Sequence, residues 1–258
     1  MDRLLGHIGR STMARANHLL DLFAFVYRIL QVLARRPREG RTLLRIIIAE
    51  QIYFTAVQAL AIIIPIALIL GSMLLVQFAK ISSQYDLGKI TVLLIVREFG
   101  PIITALVVIL RSATAVTIET GYMTVLHEIE SIEMLGIDPN YIISLPRLIG
   151  VTTAILCLFL IFDLVAILGG YLIVWTTTDY PLANFLGQIG KAVSGMDIVV
   201  GIVKGVCFGT AITVTSLYRG FKAGAQITAI PVATSKASVE SLFYCLVINI
   251  AISVAFYS

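Results

Sequence analysis

The sequence predicts an all-α integral membrane protein: an N-terminal amphipathic interfacial helix, then five transmembrane helices, with a short cytoplasmic helix between spans two and three. Three observations carry this. Hydrophobic residues make up 59% of the 258 residues and charged residues 13%, against about 45 to 50% and about 25% in soluble domains; the mean hydropathy is +0.97. Five apolar runs are each long enough for a bilayer crossing, which needs about 20 helical residues. Arginine crowds the segment before the first run. No Pro/Gly/Ser-rich linker or low-complexity tract divides the chain, so it reads as one domain, with 1–45 an interfacial helix and basic loop and 46–258 the five-span bundle.

In residues 1–35 no uninterrupted apolar core follows the first arginine, which argues against a signal peptide. Instead Arg3, His7, Arg10, Asn17, Asp21, Arg28, Gln31 and Arg35 recur at helical spacing, with leucine, isoleucine and phenylalanine on the other faces. That pattern suits a helix lying in the membrane interface, or one packed on a soluble partner.

Span one is Gln51 to Ala79, without a charge and with Pro65 as a kink site. Span two, Ile90 to Ile118, contains Arg97, Glu98 and Arg111. Span three, Leu148 to Thr178, contains only Asp163; span four, Ile198 to Tyr218, contains Lys204; span five is Ser241 to Ser258, with none. Nine Lys and Arg residues precede span one, against two in 80–89, one in 175–197 and three in 219–236. Such residues favour the cytoplasmic side, which puts the N-terminus inside and, after five crossings, the C-terminus outside.

A charge near the centre of a spanning helix costs about 2.5 to 3.5 kcal/mol on insertion scales, so those inside spans need partners. Arg97, Glu98 and Lys204 each fall about six or seven residues in from the outer end, roughly 10 Å at 1.5 Å per residue. Two cations and one anion would leave a net positive site fit for a lipid phosphate. The alternative is an internal ion pair that fixes packing. Gly201, Gly205 and Gly209 repeat at every fourth position, a face for close helix contact within the subunit or between two subunits. Cys157, Cys207 and Cys245 sit in apolar runs without pairing and read as packing residues. There is no phosphate-binding loop, HExxH, GxSxG or CxxC, so the chain is read as neither an enzyme nor a cofactor or metal binder, and nothing suggests nucleic acid.

Five segments, in order and spacing, carry a family resemblance: Arg97-Glu98-Phe99-Gly100-Pro101, Glu119-Thr120-Gly121-Tyr122-Met123, Glu128 to Glu133, Met134 to Pro139, and Pro146-Arg147. With them the chain resembles the MlaE/YrbE permeases, membrane subunits of ABC systems that move lipids together with MCE-domain proteins. The resemblance implies a multi-pass protein of the bacterial inner membrane with four kinds of partner. These are a cytoplasmic ATPase that holds the ATP and Mg, a periplasmic MCE-domain protein, a second permease copy (itself or a close homologue), and phospholipid. It implies that the acidic stretch with His127, Glu128, Glu130, Glu133 and Met134 is the coupling helix that engages the ATPase. It also implies a lipid pocket at Arg97, Glu98 and Lys204, walled by Leu70, Leu74, Leu75, Phe78 and Phe99. The chain departs from the family pattern at Leu110 to Ala115, where two glycines are replaced. Two rival readings are an ion-coupled carrier or channel with a relay through Arg97, Glu98, Asp163 and Lys204, and a membrane scaffold for an ATPase.

Overall fold

A computed structural model describes residues 2–35, 41–81, 92–177, 182–224 and 226–257. Among the described residues there is no strand. The helices are α1 (Asp2–Arg35), α2 (Arg41–Thr55), α3 (Leu60–Ile81), α4 (Gly100–Val108), α5 (Thr114–Val125), α6 (Glu128–Met134), α7 (Leu145–Thr177), α8 (Leu182–Ala192), α9 (Gly195–Phe221) and α10 (Ile230–Tyr257). A 3₁₀ turn at Val57–Ala59 joins α2 to α3, π-helical turns at Val92–Phe99 and Ile109–Ala113 flank α4, and another at Asn140–Ser144 leads into α7.

Five continuous stretches are long and apolar enough to cross a membrane: Thr42–Gln77, Leu93–Val125, Asn140–Ile173, Gly195–Phe221 and Ile227–Tyr257. The expected number therefore holds; the starts of spans one, three, four and five and the ends of spans two and four lie further out, and the other limits lie one to five residues further in. Sequence reasoning stopped each span at the nearest charge, whereas at Glu119, Arg147, Asp197, Arg219 and Glu240 the charge is paired and the helix runs on. Span five starts fourteen residues before Ser241 because the Glu240 carboxylate is held by Arg219 Nε at 2.7 Å, by the Tyr244 hydroxyl at 2.7 Å and by His18. Span two runs past Ile118 because Glu119 meets Arg147 at 2.9 Å. Arg41 and Arg45 belong to α2, not to a loop. The interruption of span one falls at Val57–Ala59, ahead of Pro65, which lies inside α3.

The long α7 is the centre of the bundle. Its Val151, Ala154, Ile155, Leu158 and Phe162 share one core with Ile63 and Ala67 of α3, Ala105 and Val108 of α4, and Phe208 and Ile212 of α9. Lipid tails are as apolar as leucine, so helices in a bilayer associate through close packing rather than through release of water, and small residues decide where backbones can meet. The glycine row of α9 faces α7 of the same chain. A Cβ at Gly205 would lie 2.4 Å from Leu156, and one at Gly209 2.6 Å from the Thr152 Cα. The row is thus an internal contact.

α1 lies against the end of the bundle that carries α6. Leu22 and Ile29 pack with Leu145, Leu148, Val214 and Tyr218, while Leu20, Phe23 and Tyr27 stay exposed, an apolar row suited to an interfacial position. Asp21, expected on a solvated stripe, turns to the bundle instead: its Oδ2 accepts from the Tyr218 hydroxyl at 2.8 Å and from Lys222 Nζ at 3.0 Å. Tyr218 and Lys222 hold the Asp21 carboxyl below the usual carboxylate range, and Tyr218 and Asp21 raise the Lys222 ammonium above its own. Both stay charged at neutral pH.

Candidate functional site

At the end opposite α6, the first turns of spans two and four and the last turns of span five bring four charges together. The local reason is the break in span two. Pro101 has no N–H, so it cannot donate to the carbonyl of Arg97 four residues earlier. Lys204 Nζ fills that vacancy at 2.6 Å. Arg97 and Glu98 both lie within the π-helical turn Val92–Phe99, and both reach spans four and five, in two adjoining layers.

The outer layer is Arg97, Asp197 and Tyr257. Arg97 pairs with Asp197 at 2.8 Å, and its guanidinium stands 4.3 Å over the Tyr257 ring, whose hydroxyl donates to Asp197 Oδ1 at 3.1 Å. Asp197 also accepts from the Ser194 N–H at 2.8 Å and the Ser194 hydroxyl at 3.0 Å, which fastens it to the start of α9. The deeper layer is Glu98, Lys204, Asn249 and Ser253. Glu98 accepts from Asn249 Nδ2 at 2.6 Å and from the Ser253 hydroxyl at 2.7 Å, and lies 3.6 Å from Lys204 Nζ, which donates to Ser253 at 2.8 Å. Lys204 is nine residues into α9, about 14 Å along the helix.

Two features of this cluster differ from the expectation. It is charge-balanced, not net positive, because Asp197 supplies a second carboxylate and takes Arg97, leaving Glu98 to Lys204. Sequence reasoning placed Asp197 in a loop; the signal that could have found it is Ser194-x-x-Asp197 ahead of an apolar run, the capping-box spacing. Asn249, Ser253 and Tyr257 were missed because uncharged polar residues in a span carry no comparable signal. Second, accessibility divides the groups: the side chains of Lys204 and Asp197 are each 1% exposed, those of Arg97 and Glu98 24% and 33%. Lys204 therefore supports Glu98 and the Arg97 carbonyl from behind, and a ligand would meet Arg97 and Glu98.

The remaining residues are scattered. Leu70 and Leu74 are partly buried against the main core, Leu75 is buried with Tyr171 and Phe185, and Phe99 is exposed. The Phe78 side chain lies outside the described residues. Asp163 is buried beside Gly100 and Phe159, with Oδ1 unpartnered, and among the described residues it makes no hydrogen bond to the cluster. Arg111 donates to the Phe54 carbonyl at 2.9 Å and to Gln58, tying span two to span one at the end of α2. At the other end of the bundle, α6 carries Glu128, Glu130, Glu133 and Met134 with no buried residue. It begins after His127, whose backbone is left-handed and whose Nδ1 lies 3.0 Å from Glu130, and it stops at Gly136, φ +75°. Among the described residues no group of His, Cys, Asp and Glu could hold a metal ion.

The family described as Permease MlaE matches residues 48–255. A probable ABC transporter permease protein of Rickettsia conorii is 26% identical over 254 residues, 97% of this chain and 96% of its own length. The intermembrane phospholipid transport system permease protein MlaE of Haemophilus influenzae is 28% identical over 200 residues, 76% of this chain and 77% of its own. The chloroplastic protein TRIGALACTOSYLDIACYLGLYCEROL 1 of Arabidopsis thaliana is 26% identical over 182 residues, 70% of this chain and 52% of its own.

Proposed function

Because the chain belongs to the MlaE permease family, and so is a multi-pass transporter membrane subunit and not an enzyme, we propose that it moves phospholipid between the bacterial inner membrane and a periplasmic MCE-domain partner. A separate cytoplasmic ATPase, which binds the ATP and Mg, drives it, and a second permease copy completes the membrane part. The partly exposed Arg97 guanidinium at the mouth of the cluster carries this reading. Asp197 and Tyr257 hold it in place on one side, and a guanidinium has five N–H donors in a geometry that matches phosphate. Arg97 is the group that meets the lipid phosphate, with Lys204 and Asp197 positioning it and Glu98. Support for phospholipid as cargo also comes from the name of the Haemophilus relative.

The exposed acidic helix α6 is the contact for the ATPase. Reversing Glu128, Glu130 and Glu133 to Lys together places like charges or unpaired groups at that contact, and the ATPase should no longer copurify, although the bundle still inserts. Undiminished ATPase in the pull-down would return α6 to a solvated connector. Topology gives a second check. With α6 inside, a reporter fused after Ser258 is external; activity confined to the cytoplasm would reject this orientation.

A further inference from the structure

Between α1 and α6, at the end of the bundle away from the charged cluster, lies a cavity of about 370 Å³. Its charged lining divides into two kinds. Asp21 and Lys222 satisfy each other at 3.0 Å, with the Tyr218 hydroxyl on the same carboxylate oxygen. Arg28 of α1 and Glu133 of α6 line the same cavity, and among the described residues neither has a hydrogen bond or ion pair, with each other or with any other group. One cation and one anion on separate helices are thus left open to it. Phe25, edge-on to Phe221 at 5.8 Å between ring centres, supplies an apolar wall.

The location selects the ligand. Asp21, Phe25 and Arg28 follow at helical spacing on the α1 face that turns to the bundle, and the exposed Leu20, Phe23 and Tyr27 form the neighbouring row. With that row in the interface the cavity opens at the depth of lipid headgroups, where charged pockets between helices take such groups. An anionic headgroup would satisfy Arg28 and bring its charge towards Glu133. A headgroup with both a phosphate and an ammonium satisfies both, and two charge-assisted contacts of opposite sign fix its direction.

We propose that this cavity seats the zwitterionic headgroup of a phospholipid from the leaflet in which α1 lies, phosphate on Arg28 and ammonium on Glu133, so that one lipid joins α1 to α6. The inference concerns the opposite end from the Arg97 cluster and stands whether or not that cluster carries cargo.

The test uses the full chain in vesicles of phosphatidylglycerol containing a minor share of phosphatidylethanolamine with a photoreactive group beside its glycerol; labelled peptides are then mapped by mass spectrometry. Label is expected on the peptides that carry Phe25 and Phe221. Loss of one hydrogen bond to a charged group should lower it about tenfold in Arg28→Gln and again in Glu133→Gln. Both side chains are exposed and make no ion pair among the described residues, so neither change removes a contact within the chain, and with no ATPase in the vesicles the role of Glu133 at that contact does not enter the readout. With a phosphatidylglycerol probe, Arg28→Gln should lower labelling and Glu133→Gln should leave it unchanged or raise it. Stronger wild-type labelling by phosphatidylglycerol than by phosphatidylethanolamine, or labelling indifferent to both substitutions, would overturn the proposal. Displacement of the label by millimolar soluble glycerophosphoethanolamine would also overturn it, because the site would then belong to a soluble phosphate ester and not to a membrane lipid.

Discussion

Replacing Gly71 by leucine should remove most of the folded protein from a detergent extract, and Gly71→Ala should already lower its thermal midpoint. A Cβ at Gly71 would sit 2.2 Å from the Ala166 carbonyl oxygen and 2.7 Å from its carbonyl carbon and Cα. These are backbone atoms of α7, so no rotamer change can make room. From the other side Gly170 is also in close contact, since a Cβ there would lie 2.8 Å from the Gly71 carbonyl. The two helices would have to separate along the contact that anchors span one. Overpacking in cores typically costs about 1 to 3 kcal/mol, and a clash of backbone on backbone belongs at or above the upper end. Gly187→Ala is the control, since a Cβ there meets nothing within 4 Å. Equal melting of Gly71→Ala, Gly187→Ala and the parent chain in a fluorescence-detected thermal series would contradict this packing.

Glu98→Ala should be the most damaging single change in the charged cluster. It leaves the Lys204 ammonium, 1% exposed, without an anion, and leaves Asn249 Nδ2 without its acceptor. Breaking a buried pair by removing one member commonly costs about 3 to 5 kcal/mol, whereas replacing both members by neutral groups can be close to neutral. The double change Glu98→Gln with Lys204→Met should therefore melt higher than Glu98→Ala. Arg97→Gln should behave differently in kind. Asp197 keeps its Ser194 and Tyr257 donors, so stability falls less, while phospholipid recovered with the purified complex drops. If Arg97→Gln retained full lipid, the cluster would be a packing device only. If the double change melted below Glu98→Ala, the pairing of Glu98 with Lys204 would be wrong.

The number of spans, the amphipathic α1 and the short acidic α6 were legible in the chain because each rests on periodicity or run length, which are local. The residues of the cluster were legible in part. Arg97, Glu98 and Lys204 stood out because a charge in an apolar run is conspicuous, but that Asp197 takes Arg97 and balances the charge was not legible. Asp197 lies at the edge of its span, and Asn249, Ser253 and Tyr257 are ordinary polar residues in a hydrophobic stretch. The resemblance made Leu75 a pocket wall, and nothing in an apolar run says which face a leucine occupies; in the bundle it packs on Tyr171 and Phe185.

By itself the sequence determined that the chain has five helices long and apolar enough to cross a membrane and where the short helix α6 stops, because these follow from composition and from the spacing of neighbouring residues. Which charge meets which was decided only in the folded bundle. Pro101 opens the Arg97 carbonyl, but that Lys204, more than a hundred positions away, closes it depends on how α9 lies against α4. That Gly201, Gly205 and Gly209 face α7, rather than another subunit, depends on the same crossing. Ion pairs and close backbone contacts act over a few ångströms, and only the packing of helices distant in the chain brings their partners within that range.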